Sequence, residues 1–171
     1  MKKIFLFALM LAICACHKTT SDNTNKIDTA KTIIGKWLVT GRVVVFYTAG
    51  KEVARLNITV SQDAPPNSST LTVPYYYQFN TGGLMGVYAY DTRTGKYILD
   101  PNISAYALTN ENKTLNTFTG QVAFVNYDIS LSDNNTLTLV DTRKLVAYLA
   151  ADNTVKVADN DITTTSYTRM Q

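Results

Sequence analysis

From Ile33 to its end the chain alternates apolar and polar residues in one short run after another, with turn residues between the runs. A period of two belongs to strands that bury one face, and its repetition excludes a helical fold. The first hairpin is the clearest. In IGKWLVTGRVVVFYT (34–48) the odd positions Trp37, Val39, Gly41, Val43, Val45 and Tyr47 form one face. Thr40, Arg42 and Thr48 lie on the other, so the odd set is expected inward. Ala49-Gly50-Lys51 turns the chain into EVARLNITVSQ, with Ala54, Leu56, Ile58 and Val60 facing in.

DAPPNSS (63–69) is a loop, because consecutive prolines are excluded from a central strand. LTVPYYYQFN (71–80) reads as a strand with Leu71, Val73, Tyr75, Tyr77 and Phe79 on one face and Thr72, Tyr76, Gln78 and Asn80 on the other. LMGVYAYD, KYIL, ISAYALT, TLNTFTG, QVAFVNYDISL, TLTLV and ITTTSYTRM follow as strands, separated by turns such as Thr81-Gly82-Gly83 and Ser132–Asn135. RKLVAYLAAD (143–152) fits a helix capped by Asp141, or a strand turning at Asp152-Asn153 into TVKV, with the strand preferred. Strands of this length and spacing predict an all-β fold, an antiparallel sandwich or barrel.

The beginning of the chain follows other rules. MKK precedes the apolar run IFLFALMLAI, too short to span a bilayer but suited to a signal peptide. The only two cysteines, Cys14 and Cys16, follow at once in LAICAC. A disulfide across the single residue Ala15 would be strained, and no other cysteine completes a zinc or redox motif. Ile13-Cys14-Ala15-Cys16 resembles the bacterial lipobox. The resemblance implies that residues 1–15 are removed and that Cys16 becomes the acylated N-terminus, a palmitate-type anchor in a membrane. His17 in place of an aspartate implies the outer membrane, with the periplasmic or surface face open. HKTTSDNTNKIDTAKT completes a polar tether over 16–32, in which Asp28-Thr29-Ala30 looks like a bacterial O-glycosylation acceptor. Residues 33–171 form one domain.

Loss of Lys2 and Lys3 leaves 14 of the 16 basic residues against 13 acidic ones, close to neutrality. That balance, without a basic run, excludes the electrostatic footprint of a nucleic-acid binder. Catalysis is not expected either. His17, the one histidine, sits beside the anchor, so the domain has no Ser-His or Cys-His pair. No histidine–cysteine metal site is expected, and the sequence calls for no cofactor. Glu52, Asp91, Asp100, Glu111 and Asp128 show no spacing that selects an acid–base pair. Asp133-Asn134-Asn135 and Asp159-Asn160-Asp161 lack the spacing of a calcium loop and read as turns. The tyrosines are the better lead. Tyr75, Tyr77 and Phe79 alternate on one expected inner face, and Tyr88 and Tyr90 on the next, as candidate walls of a pocket or parts of a filled core.

Gly35-Lys36-Trp37 opens the first strand, and Trp37 is the only tryptophan. Gly-x-Trp at that place resembles the first motif of lipocalins, and 33–171 looks like the lipocalin-like domains of bacterial lipoproteins. The resemblance implies an antiparallel up-and-down barrel of about 8–10 strands, with a β-sandwich as runner-up, in which Trp37 plugs the closed end and Arg169 packs over its ring, with Gly35 structural. It also departs from the family. Asn126-Tyr127-Asp128 does not match the middle motif, and the first hairpin loop is short where classical members have a lid. Two functions follow as expectations: a carrier or sensor of a small hydrophobic or aromatic ligand, or a non-catalytic module (accessory subunit, inhibitor or adhesin) that meets an envelope protein partner.

Overall fold

The computed structural model describes residues 27–65, 68–101, 104–119 and 123–171. Cys14, Cys16, the signal peptide and the tether as far as residue 26 lie outside the described residues. A four-residue helix, α1 (Thr29–Thr32), precedes eleven strands: β1 (Gly35–Thr48), β2 (Lys51–Val60), β3 (Leu71–Thr72), β4 (Tyr75–Phe79), β5 (Leu84–Asp91), β6 (Lys96–Leu99), β7 (Ser104–Thr109), β8 (Thr114–Thr119), β9 (Ala123–Leu131), β10 (Thr136–Leu149) and β11 (Val155–Arg169). Among them no helix is long and apolar enough to cross a membrane.

Eight strands close an antiparallel barrel in the order β1-β4-β5-β7-β8-β9-β10-β11, and β11 returns to pair with β1. Each barrel strand therefore neighbours the next barrel strand along the chain, which is the up-and-down arrangement, and a single closed sheet replaces the sandwich. Three strands are additions. β2 pairs with the second half of β1, β3 runs parallel to β2, and β6 pairs with the second half of β5. Closure removes the free edges that an eight-stranded open sheet would expose.

The turn between β1 and β2 needs positive φ at both central residues, and Ala49 (φ 51°) and Gly50 (φ 74°) supply it. The amide of Ala49 donates to Asp159 Oδ2 at 2.7 Å, tying the hairpin tip to β11. Residues 143–149 continue β10 as a strand, and the chain turns at Ala150–Thr154, where Asp152 Oδ1 accepts from the Thr154 amide at 3.1 Å.

Four expectations are corrected. First, 71–80 is not one strand: it breaks at Val73-Pro74, where proline has no amide for a ladder, into β3 and β4. Second, Asp159-Asn160-Asp161 is not a turn. It lies within β11, where Asp161 is wholly buried. Third, Thr29–Thr32, assigned to the tether, form α1, because Asp28 caps it through the Lys31 amide at 3.4 Å.

The fourth correction concerns the inner face of β1. Val39 pairs with Tyr167 but Gly41 pairs with Ser166, so Thr40 is an extra residue in the strand. A bulge of one residue reverses the alternation beyond it. Trp37 and Val39 therefore face in before the bulge, while Arg42, Val44 and Phe46 line the interior after it. The expected inward set Gly41, Val43, Val45 and Tyr47 gives way to them, although Val45 is also buried.

The bulge also divides the interior. Ile33, Trp37, Val39, Phe79, Met85, Leu115, Ile129, Leu137, Leu139 and Tyr167 fill one end as a continuous core. Val44, Phe46 and Ala158 form a second cluster at the other end, with Leu56, Ile58, Val146 and Tyr148 packed against it. The Phe46 and Tyr148 rings stack there at 4.8 Å.

Candidate functional site

Between the two clusters the barrel opens into a cleft of about 760 Å³, within the usual 300–1,000 Å³ of small-molecule sites. Val44 and Phe46 from β1 and Leu56 and Ile58 from β2 make an apolar wall. Beside it on the neighbouring strand runs a polar stripe, the inner face of β11, formed by Thr163, Thr165 and Tyr167. Tyr77, Tyr127, Asp141 and Arg143 are among the other residues that line it.

Arg42 and Arg143 both line this cleft, and Arg42 is the one without a carboxylate partner among the described residues. The bulge at Thr40 turns it inward, and the register places it directly opposite Thr165. Its Nε donates to Thr165 Oγ1 at 3.3 Å and its Nη2 to the Tyr75 hydroxyl at 2.9 Å. Burial works against its charge, but the fields of Tyr75 and Tyr167 and the Tyr75 hydrogen bond outweigh that, so its pKa stands above the ordinary arginine value. Among the described residues no carboxylate lies within 4 Å of it.

The acids nearby are engaged by a different arginine. Asp161 is wholly buried, and Arg143 grips it with both Nε (3.2 Å to Oδ1) and Nη2, while the Arg143 amide adds a bond of 3.3 Å. A forked guanidinium on a carboxylate is the strong form of ion pair. Asp141 lies 4.0 Å from Arg143 Nε. Burial raises the pKa of Asp141, against the opposing fields of Arg143 and Arg42.

The hydroxyls are neutral donors and acceptors. Burial pushes Tyr77 far above the usual phenol range, with the fields of Tyr75 and Tyr127 adding to it, and Tyr167 is raised for the same first reason. The Tyr75 and Tyr167 hydroxyls stand 3.4 Å apart, and the Tyr77 and Tyr167 rings lie 5.3 Å between centroids. Thr163 is 6% exposed, and its Oγ1 has no hydrogen-bond partner among the described residues. A buried hydroxyl without a partner is uncommon, because it forfeits its bonds to water.

The aromatic candidates separate into groups. Tyr77 lines the cleft, and Tyr75 holds Arg42 at its edge. Phe79 is 1% exposed within the filled end, edge-on to Tyr106 at 5.0 Å. Tyr88 and Tyr90 do not share the inner face. Tyr76 pairs with Tyr88, so the two lie on one face, and Tyr77 pairs with Val87 on the opposite face. Tyr76 and Tyr88 stack at 4.5 Å, Tyr97 bridges Tyr76 and Tyr90, and Lys36 Nζ stands 5.6 Å from the Tyr76 ring. These four tyrosines form a separate ladder across the β4–β5–β6 surface.

At the filled end Gly35, Trp37 and Arg169 meet. Trp37 is fully buried and its Nε1 donates to the Ile33 carbonyl at 2.7 Å. Arg169 covers the ring and bonds the carbonyls of Asn134, Ile34 and Thr32. Gly35 (φ +131°) takes a conformation that disfavours side chains, and a Cβ there would come 2.8 Å from Arg169 Nη1.

Asp91 and Asp133 serve turns, accepting from the amides of Arg93 and Asn135, and Glu52 pairs with Arg55 on β2. Among the described residues no three His, Cys, Asp or Glu side chains converge as a metal site. Comparison with protein-family models and with curated proteins finds no match to this chain.

Sequence reasoning missed Arg42, Asp141, Arg143, Asp161, Thr163 and Thr165. A signal was present for three of them. Asp161, Thr163 and Thr165 alternate in register with Tyr167 along the last strand, and a polar inner stripe marks a cavity wall rather than a packed core.

Proposed function

We propose that the chain is an envelope lipoprotein whose barrel, lipocalin-like in plan, carries or senses a small and largely apolar ligand in the cleft between its two clusters. The cleft itself carries this reading. It combines one apolar wall with a few convergent polar groups, the composition that binds and orients small molecules. Gly35, Trp37 and Arg169 support the likeness in plan, since they meet at the closed end. The lining offers apolar surface, hydroxyls and guanidinium groups, which supports binding as the reading. Anchorage at the outer membrane through Cys16 belongs to the same proposal and rests on the lipobox resemblance. Native mass spectrometry of the purified protein tests it: a small molecule leaving with the folded barrel is expected, and a bare polypeptide in every preparation counts against it.

One observation favours an interaction module instead. At the β10–β11 hairpin Leu145, Leu149, Val155 and Val157 are 63–78% exposed, and apolar side chains gathered at one tip are a common mark of a protein contact.

A further inference from the structure

Independently of the carrier reading, and resting on the interaction reading of the β10–β11 hairpin, we infer that the free edge of β10 docks an extended segment of another protein. The segment adds as a strand, apolar in character and with an acidic residue near Lys144.

The first observation is the edge itself. β9 and β10 pair only where Asp128–Leu131 meet Leu137–Val140, so the barrel wall is closed on this side only that far. Beyond it β9 stays with β8 back to Ala123, and β10 stays with β11 up to Leu149. The two strands part. No other described residue bonds to the β10 backbone between Asp141 and Leu149 on the side turned away from β11. A strand aims its peptide groups to both sides, so this edge presents a row of unpaired N–H and C=O groups. Such a row is completed by another strand, the mode called β-augmentation.

The second observation is that both faces beside the edge are apolar. Ala147 pairs with Val157 and Leu149 with Val155, so these four share one face, and all are exposed. Leu145 is the most exposed large apolar side chain among the described residues, and it holds a left-handed backbone (φ 53°). That conformation is strained for leucine, and strain of this kind gathers at binding sites. On the other face Val146 and Tyr148 pack against the cluster of Val44, Phe46 and Ala158. A strand laid beside β10 sends alternate side chains to each face, and apolar ones fit both.

Charge selects the partner. Arg143 is held by Asp161 and Lys156 by Asp152, whereas Lys144 is exposed without an ion pair among the described residues. A second copy paired antiparallel about the middle of this edge would bring Lys144 near its own counterpart, and like charges across strands repel. Lysine on an edge is a known guard against self-pairing. A different chain that carries a carboxylate there meets attraction instead.

Peptides of about ten residues, the length of a long strand, test the edge. One alternates valine and threonine around a central glutamate, and a second has lysine in its place. A third is the glutamate peptide N-methylated on every second amide, made in both phases. Each is titrated into the purified protein and followed by fluorescence anisotropy. The glutamate peptide is expected to bind about fivefold tighter than the lysine peptide, the size of an opposite against a like charge pair across strands. Lys144→Glu should invert that preference. Leu149→Ser should weaken both peptides severalfold and leave the melting temperature unchanged, because Leu149 is exposed. Methylation should abolish binding in at least one phase, since it removes the amides that meet the edge. Hydrogen exchange read by NMR checks the edge directly: alternate amides from Thr142 to Leu149 should exchange freely in the protein alone and slow when the peptide is bound.

No binding of the glutamate peptide, binding that survives methylation in both phases, or an unchanged preference in Lys144→Glu overturns the inference. Protection of every amide of β10 in the free protein does so too. A dimer that Leu149→Ser dissolves would make a second copy the occupant, and co-sedimentation with phosphatidylglycerol vesicles that the same variant loses would make it a bilayer. Either result overturns the proposal. All of these outcomes leave the carrier reading standing, because that reading is decided by a ligand in the cleft.

Discussion

Arg169 and Trp37 are direct partners across the β1–β11 seam, and the guanidinium carbon stands 4.5 Å from the indole centroid. The contact joins the last strand to the first. It also ties both to α1 and to the β9–β10 turn, because the same guanidinium bonds the carbonyls of Thr32, Ile34 and Asn134. One side chain therefore holds four parts of the closed end together, and Gly35 leaves the space it needs.

Arg169→Met keeps the length of the side chain and removes both the cation–π contact and the carbonyl bonds. A loss of about 2–3 kcal/mol is expected, read as a shift of the urea midpoint at constant slope. Gly35→Ala should cost about 1–3 kcal/mol through strain and the clash with Arg169. An unchanged midpoint in either variant would remove the seam from the account of stability.

Asp141 predicts a pH dependence. It faces Arg143 on its own strand, Asp161 on β11, Arg42 on β1 and Tyr127 on β9. Burial is the largest influence on it and raises its pKa above the usual 3.8. A raised carboxyl contributes stability that is fully present below that usual value and is lost as pH rises through the folded value. Asp141→Asn should therefore gain on the wild type as pH climbs from about 4 to 7. Urea melts at pH 3.5, 5 and 7 check the sign, and a variant that loses ground with rising pH would contradict it.

Cys16 lies outside the described residues, and its lipidation is tested in cells. Cys16→Ala should lose label from a radioactive fatty acid and remain uncleaved, while Cys14→Ala is processed normally. Loss of label from Cys14→Ala instead would move the anchor.

What could be read from the sequence divides along physical lines. The β1–β2 hairpin was legible because alternation and turn chemistry agree locally: Leu56 and Ile58 face the interior, as their spacing implies. The all-β class was legible in the repeated short strands, whereas closure was legible only through the resemblance carried by Gly35-Lys36-Trp37, because the same strands also suit a sandwich. Arg42 was hidden. Nothing in TGR announces that Thr40 bulges, and that one residue moves every later side chain of β1 to the opposite face. The placement of Tyr88 and Tyr90 failed for a related reason. Both faces of β4 carry aromatics, so the hydrophobic pattern does not choose a register, and the pairing of Tyr76 with Tyr88 emerges only in the assembled sheet. Residues 143–149 were ambiguous because Leu145 and Leu149 suit a helix by spacing, whereas the long ladder with β11 decides for a strand.

The central claim is that the cleft binds a ligand, and the most direct measurement is the melting temperature in the presence of fatty acids, sterols, haem and quinones. A ligand that binds only the folded state raises it in proportion to the logarithm of concentration over its dissociation constant. At least one compound should raise the wild type. Its effect should differ in Tyr77→Ala, which enlarges the cleft, and match the wild type in Tyr88→Ala, which alters only the outer ladder. No shift with any compound, or a response governed by Tyr88 rather than Tyr77, would contradict the account.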